Sequence, residues 1–264
     1  MKRVLITGAA GKVARLLIPY LQSEYELIFT DAREPKTPLQ PFVKAQLEDY
    51  SAMLELCRGV DSVLHLGAIA FDAAWESQIA PNIVGVQHVL LAAKAAKCRR
   101  VILISSVQAV WGHLHQPILE SDAPYPTNFY GASKAFAEAL ARVHSYDQTL
   151  SVICVRLGAV FEPYQMRLDP SNIPYGITAK DLGQLIELCL TTTEHFLMVH
   201  GVSAQKGKKL SLTMTRDILG YQPQDDVEKM VKNNWQGEIR WQLARAKSFL
   251  VSRAKGFYQK LFSR

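Results

Sequence analysis

Val4-Leu5-Ile6-Thr7-Gly8-Ala9-Ala10-Gly11-Lys12-Val13-Ala14 is the stretch that decides the fold. A short apolar run ends in two glycines three residues apart, and an amphipathic helical pattern opens directly behind them. Glycine is needed where the chain turns tightly and its backbone approaches a pyrophosphate lying on the N–H groups of the next helix. Ala14 in the third position still permits close helix–strand packing. Asp31 closes the second strand 20 residues past Gly11. A carboxylate there accepts both ribose hydroxyls of NAD and repels the extra phosphate of NADP; Arg33 nearby leaves NADP open. The turn alone is a weak signal, but with its strand, helix and acid in place it reads as a dinucleotide site.

Outward from this stretch, strand patterns at residues 4–7, 26–30, 42–45, 62–66, 101–105 and 151–156 alternate with helical ones at 12–21, 50–58, 79–97 and 128–144. The unbroken apolar run Val101-Ile102-Leu103-Ile104 suits a parallel sheet covered on both faces. The alternation predicts an α/β doubly wound parallel sheet. Pro19 is expected to break or kink the first helix. Residues 162–174 read as a loop, 178–190 as a helix and 196–200 as a strand returning to the sheet. Residues 210–220 read as a small helical cap stopped by Gly220. We expect a dinucleotide domain over 1–157 (its sheet completed by about 178–200), a small substrate-binding portion over 158–227 and a basic tail over 228–264.

The 264 residues are 48% hydrophobic and 20% charged, which excludes disorder and fibrous or disulfide-scaffold classes. Cys57, Cys98, Cys154 and Cys189 lie far apart without metal spacing and read as buried residues of a reducing compartment. Met1-Lys2-Arg3 leads straight into a strand, so no secretory signal is expected, and no apolar run reaches membrane-spanning length. A cytoplasmic protein is the expectation. Residues 229–264 hold nine Lys and Arg against one acid, Glu238, so the tail alone makes the chain basic. Ile239, Leu243, Ala246, Leu250, Ala254, Phe257 and Leu261 follow a 3–4 spacing, the pattern of a cationic amphipathic helix. Its partners would be the body of the protein, a second subunit in a homodimer, another protein, or an anionic membrane surface at which the protein sits peripherally. No nucleic acid is expected.

Tyr130-Gly131-Ala132-Ser133-Lys134 places a phenol and an amine on one helix face at i, i+4. A free phenol, with a pKa near ~10, is a poor base at neutral pH. A neighbouring ammonium lowers that value, which is what abstracting a proton from an alcohol requires. An amphipathic helix with one exposed Tyr and one exposed Lys would look the same, and only the dinucleotide turn lifts the pair above accident.

With these motifs in hand the chain resembles an extended short-chain dehydrogenase/reductase of the NAD-dependent epimerase/dehydratase family, a Rossmann-type fold, over about residues 1–227. Asp61-Ser62-Val63-Leu64-His65-Leu66-Gly67-Ala68, Asn82-Ile83-Val84-Gly85, Ser105-Ser106-Val107-Gln108-Ala109-Val110-Trp111-Gly112 and Leu219-Gly220-Tyr221-Gln222-Pro223 carry further parts of the likeness. The resemblance implies NAD as cofactor, held by Gly8, Ala10, Gly11, Lys12, Val13, Asp31, Gln46, Leu47, Leu66, Gly67, Ala68, Asn82, Ser105, Tyr130 and Lys134. The family usually has Asp where Gln46 stands. Tyr130 would be the acid/base, with Lys134 binding the nicotinamide ribose and tuning Tyr130. Family members also use a Ser or Thr to hold the reacting oxygen. Counting back five from Gly112 gives Val107 at that position, and a one-residue shift would let Ser106 serve instead. No metal is expected.

The C-terminal part is short for a nucleotide-sugar enzyme. Arg156-Leu157-Gly158-Ala159-Val160-Phe161-Glu162-Pro163 has Ala159 where such enzymes often have a substrate-facing Asn. The compact architecture looks most like uronate dehydrogenases, which oxidise the anomeric hydroxyl of a free sugar acid to a lactone using NAD. Ala70, Val107, Gln108 and Arg167 would then face the substrate, Arg167 as a carboxylate clamp. Ala70 and Ala159 stand where that subgroup offers hydroxyls, so the pocket would be less polar. The resulting expectation is an NAD-dependent oxidoreductase acting on a small sugar-like or hydroxy-acid substrate. The alternatives are a sugar epimerase without net NAD turnover, or a dinucleotide-binding regulatory or membrane-associated protein with a decayed site.

Overall fold

Seven strands form one parallel sheet: β1 (Lys2–Thr7), β2 (Tyr25–Asp31), β3 (Phe42–Lys44), β4 (Ser62–His65), β5 (Arg100–Ser106), β6 (Ser151–Leu157) and, after two short strands, β9 (Phe196–Gly201). Their order is β3-β2-β1-β4-β5-β6-β9. The computed structural model describes residues 1–113, 117–161 and 170–232. Every residue of β5 and β6 is buried, as unbroken apolar strands at the centre of a doubly covered sheet must be.

One face is covered by α1 (Lys12–Leu21) and α6 (Ala179–Thr191) through Leu17, Leu21, Leu182, Leu185 and Ile186. The other is covered by α2 (Tyr50–Cys57), α4 (Gly85–Ala95) and α5 (Phe129–Ser145) through Met53, Val89, Leu90, Ala137 and Ala141. Each fully buried leucine or isoleucine contributes roughly 1.5–3 kcal/mol. All four cysteines are free and buried in these layers. The strand order reverses between β1 and β4, so a crevice opens beyond their carboxyl ends, where open α/β sheets bind ligands.

The structure departs from the sequence reading in three places. The helix expected from residue 79 starts earlier, as α3 (Trp75–Gln78), and passes through a wide π-helical turn, Ile79–Val84, before α4. Pro81 has no N–H to give to the fourth carbonyl back, and the ladder resumes with Gly85 N–H bonded to Ala80 O, five residues away. Pro19 does not end α1, which runs on to Leu21, because it falls in the last turn where one bond is lost at low cost. The loop expected over 162–174 contains an unforeseen 3₁₀ turn, Pro170–Tyr175, leading into β8 (Gly176–Thr178), which pairs with β7 (Ala159–Phe161).

The small cap is α7 (Thr213–Leu219), stopped by Gly220 in the left-handed region at φ +68°. Behind it Tyr221 is fully buried, its hydroxyl donating to Val202 O. The last described element is α8 (Val227–Lys232). Of the basic tail expected over 228–264, the part beyond Lys232 lies outside the described residues.

Candidate functional site

Gly8 adopts φ +70°, and a Cβ there would meet the backbone nitrogen of Gly67 at 2.6 Å. Only glycine lets the turn after β1 lie against the chain leaving β4. Gly11 then opens α1 with no side-chain cap and no acid in the first turn. By contrast α2, α5 and α6 are capped by Asp49, Asn128 and Thr178. An anion at this end of α1 would meet no competing side-chain cap, and Lys12 and Val13 line the cleft there. Ala14 is fully buried against the sheet. Asp31 is fixed by the same turn: Ala10 N–H donates to its Oδ2 at 3.0 Å and Arg33 N–H to its Oδ1 at 2.9 Å. The exposed Arg33 side chain leans on Asp31, Nε to Oδ1 3.8 Å. These residues fit a dinucleotide.

Leu47 wedges between Gly67 and Gly85, where a Cβ on either would meet its side chain at 2.8 and 2.6 Å. Gln46 is exposed beside it, before α2. Asn82 is placed behind the cleft. Its Oδ1 accepts Ile69 N–H at 2.8 Å, and its Nδ2 donates to Ile69 O, Gln78 Oε1 and Ser133 Oγ. It braces the loop after β4 against α5, with its amide fully engaged by the protein.

The cleft, about 320 Å³, gathers Lys12, Val13, Leu66, Ala68, Ala70, Ser105, Ser106, Val107, Gln108, Tyr130 and Lys134 from four separate segments of chain. Tyr130 sits in the first turn of α5, which Asn128 caps by accepting Gly131 N–H at 2.7 Å. Gly131 is required, because a Cβ there would run into the Gln108 carbonyl. Ser106 Oγ accepts Gln108 N–H at 3.1 Å and lies near enough to the Tyr130 phenol to draw its pKa down. Val107 is buried in the hydrophobic core with only its edge on the cleft. Lys134 donates to Ile104 O at 2.8 Å, its Nζ 5.8 Å from the centre of the Tyr130 ring.

Burial pushes the Tyr130 phenol above its ordinary pKa, and the nearby Ser106 hydroxyl draws it back down. The sequence argument anticipated only a lowering. In the folded protein the loss of water around the ring outweighs its neighbours. Burial likewise lowers Lys134 to about 8, with the Glu138 carboxylate acting in the opposite direction.

At the substrate end Trp111 packs on Tyr175, ring centres 4.9 Å apart and tilted 45°. Asn128 Nδ2 donates to Gln108 Oε1 at 2.9 Å, which leaves the Gln108 NH₂ group for the cleft. Ala70 and Ala159 line this wall. Sequence reasoning missed Asn172 and Tyr175, which line the cleft from the 3₁₀ turn. No spacing or motif marks that turn. Lys12 Nζ donates to Val160 O at 2.9 Å, tying the dinucleotide turn to β7. Arg167 lies outside the described residues. No cluster of His, Cys, Asp or Glu among the described residues could hold a metal ion.

A parallel sheet with a glycine turn at its switch point and a Ser–Tyr–Lys set beside it defines a dinucleotide-dependent oxidoreductase site. Residues 4–200 match the NAD dependent epimerase/dehydratase family, and the chain belongs to that family. It is similar to the uronate dehydrogenase of Pseudomonas putida, 30% identical over 196 residues covering 72% of each chain. It is also similar to an NAD-dependent glucose-6-phosphate dehydrogenase of Haloferax volcanii, 29% identical over 246 residues, 84% of this chain and 93% of that one. Among solved structures, a mutant uronate dehydrogenase from Agrobacterium tumefaciens complexed with NAD superposes with a TM-score of 0.78 at 27% identity, covering 88% of each chain.

Proposed function

We propose that this NAD-dependent oxidoreductase oxidises the anomeric hydroxyl of a small free sugar or sugar acid to the lactone. The observation that carries the reading is the gathering of Ser106, the Tyr130 phenol and buried Lys134 in one cleft that begins on the uncapped N-terminus of α1. The relatives named above oxidise a uronate and a sugar phosphate, and a third, from Haloferax volcanii, is an L-arabinose 1-dehydrogenase using NAD(P).

NAD, when bound, supplies the acceptor for the hydride leaving the sugar carbon. Asp31 and the N–H groups opening α1 hold its ribose and pyrophosphate, and Leu47 with Gln46 flanks its adenine. Ser106 Oγ orients the substrate hydroxyl, and Tyr130 Oη takes that hydroxyl's proton. The Lys134 ammonium stabilises the phenolate in a site from which water is largely excluded, where one charge acts strongly on another. Gln108 donates to a sugar oxygen, while Trp111 and Tyr175 present an apolar face to the ring. The test is NADH formation from NAD across uronic acids, aldoses and sugar phosphates, with the product trapped as a lactone. Turnover on one of these with lactone formed supports the reading. Silence across the panel with NAD bound would overturn it in favour of an epimerase or a regulatory binder.

A second copy of the chain as partner is supported by exposed Phe129, Phe136 and Val143 on α5 and Val84 and Leu91 beside α5. Each set is spaced by seven residues, which forms one stripe per helix. Light scattering that returned a monomer's mass would remove this partner. No described helix is long and apolar enough to cross a membrane. The four buried free cysteines support a reducing, cytoplasmic setting. Peripheral attachment through residues 229–264 rests on the sequence and is tested by co-sedimentation with anionic vesicles, with and without that segment.

A further inference from the structure

We infer that Glu138 is a positioning residue for this reaction, keeping Lys134 charged and fixing the end of β5 that carries Ser105 and Ser106. The inference rests on the oxidoreductase reading above, but its argument is local. Glu138 lies one helical turn past Lys134 on α5, at i+4, so the two side chains share a face. Its carboxylate is buried, and each oxygen is spoken for. Oε1 accepts the Ser105 hydroxyl at 2.6 Å and Arg156 Nε at 3.0 Å, and Oε2 accepts Arg156 Nη2 at 2.9 Å. Arg156 Nη1 donates to the carbonyls of Glu120 and Asp122. A buried pair with this many bonds holds one geometry.

The geometry reaches the reacting edge at three consecutive residues. Ile104 O accepts the Lys134 ammonium, Ser105 Oγ is held by Glu138, and Ser106 Oγ lies near the Tyr130 phenol. Ser105 and Ser106 both line the cleft.

An ammonium buried as deeply as that of Lys134 is costly without a counter-charge. The groups facing it are Tyr130 and Glu138 on α5, His65 from β4, and Arg156 from β6 behind Glu138. His65 is buried and held neutral by that burial, with Nδ1 2.8 Å from the Thr7 hydroxyl. Tyr130 is pushed toward its neutral form and Arg156 is itself a cation. Glu138 is thus the carboxylate, among the described residues, that offsets the cost.

The experiment uses the full chain with isotope-labelled lysine, without cofactor or substrate, following the Lys134 side chain by NMR against pH. A Lys134→Arg variant identifies its signal. Glu138→Gln, and Glu138→Gln combined with Arg156→Gln, are both expected to move the Lys134 titration to lower pH by about one unit. Glu138→Asp, which keeps the charge, returns it toward the wild-type position. The double variant removes the Arg156 guanidinium together with its partner carboxylate, so Arg156 is not left buried and unpaired, and it remains informative if the single one does not fold. An unchanged Lys134 titration in the double variant would overturn the inference, since a bridge serving stability alone predicts that result. Because no turnover is read, this failure is separate from a silent substrate panel, which would instead remove the reaction itself.

Discussion

At the cofactor end of the cleft the protein works with backbone. Gly8 turns at φ +70° against Gly67, Gly11 leaves the first N–H groups of α1 uncapped, and even Asp31 is fixed by the N–H of Ala10. At the substrate end it works with side chains drawn from distant segments: Ser106 at the end of β5, Gln108 just after it, Tyr130 from α5, Asn172 and Tyr175 from the 3₁₀ turn before β8. The first end is rigid, local in sequence and suited to a ligand common to a whole family. The second is assembled by the tertiary fold, and its identity can change without disturbing the first. The difference explains how relatives acting on a uronate, a sugar phosphate and arabinose share one architecture.

The comparison is broken most severely at Gly8. Gly8→Val adds a Cβ where Gly67 already sits and forces a branched residue to φ +70°, a strain on the order of 1–3 kcal/mol. Calorimetric titration should show NAD binding abolished, with the melting temperature lowered by several degrees. Binding at wild-type affinity would mean the turn is not the cradle. At the other end, Ser106→Ala should lower kcat about a hundredfold. Val107→Ala should leave kcat near wild type while lowering thermal stability, since Val107 packs in the core. The reverse pattern would mean that Ser106 does not hold the reacting oxygen. Asp31→Asn should raise the Kd for NAD about tenfold through loss of a charged hydrogen-bond acceptor, and narrow the preference over NADP.

A smaller effect lies away from both ends, in pH. Burial holds His65 near about 3 and His200 near about 4, both below the ordinary histidine value. The unfolded chain therefore binds more protons, so stability is full above about pH 6.5 and declines as pH falls toward those values. Each contributes a loss of roughly 2 kcal/mol by pH 5. Melting temperatures from pH 7 to 5 should fall, and His200→Gln should flatten the slope. A slope unchanged by that substitution would count against buried neutral His200.

What the sequence disclosed follows the same division. The seven strands of the main sheet, their parallel arrangement and the dinucleotide turn were readable because they depend on local residue type: apolar runs, glycines and an acid at a fixed distance. Tyr130 and Lys134 were readable because helical spacing alone puts them on one face. Ser106 against Val107 was ambiguous in one dimension, because a strand end that passes into a 3₁₀ turn rotates each successive side chain by an amount that counting cannot supply. The π turn at Ile79–Val84, which aims Asn82 at the loop after β4, was hidden inside a helical pattern. Asn172 and Tyr175 reach the cleft only because β8 pairs with β7, a contact between short strands that no periodicity announces. Glu138 looked like one more polar helix position until Arg156 and Ser105 were seen to meet on it.

The central claim is that Tyr130 removes the substrate proton in a working hydride-transfer site. The most direct test measures NADH formation and NAD affinity side by side for the wild-type chain and Tyr130→Phe, on the sugar and sugar-acid panel. The account predicts turnover by the wild type on at least one of these substrates, a loss of about a thousandfold or more in the variant, and the same Kd for NAD in both. Equal turnover by the two proteins would contradict it.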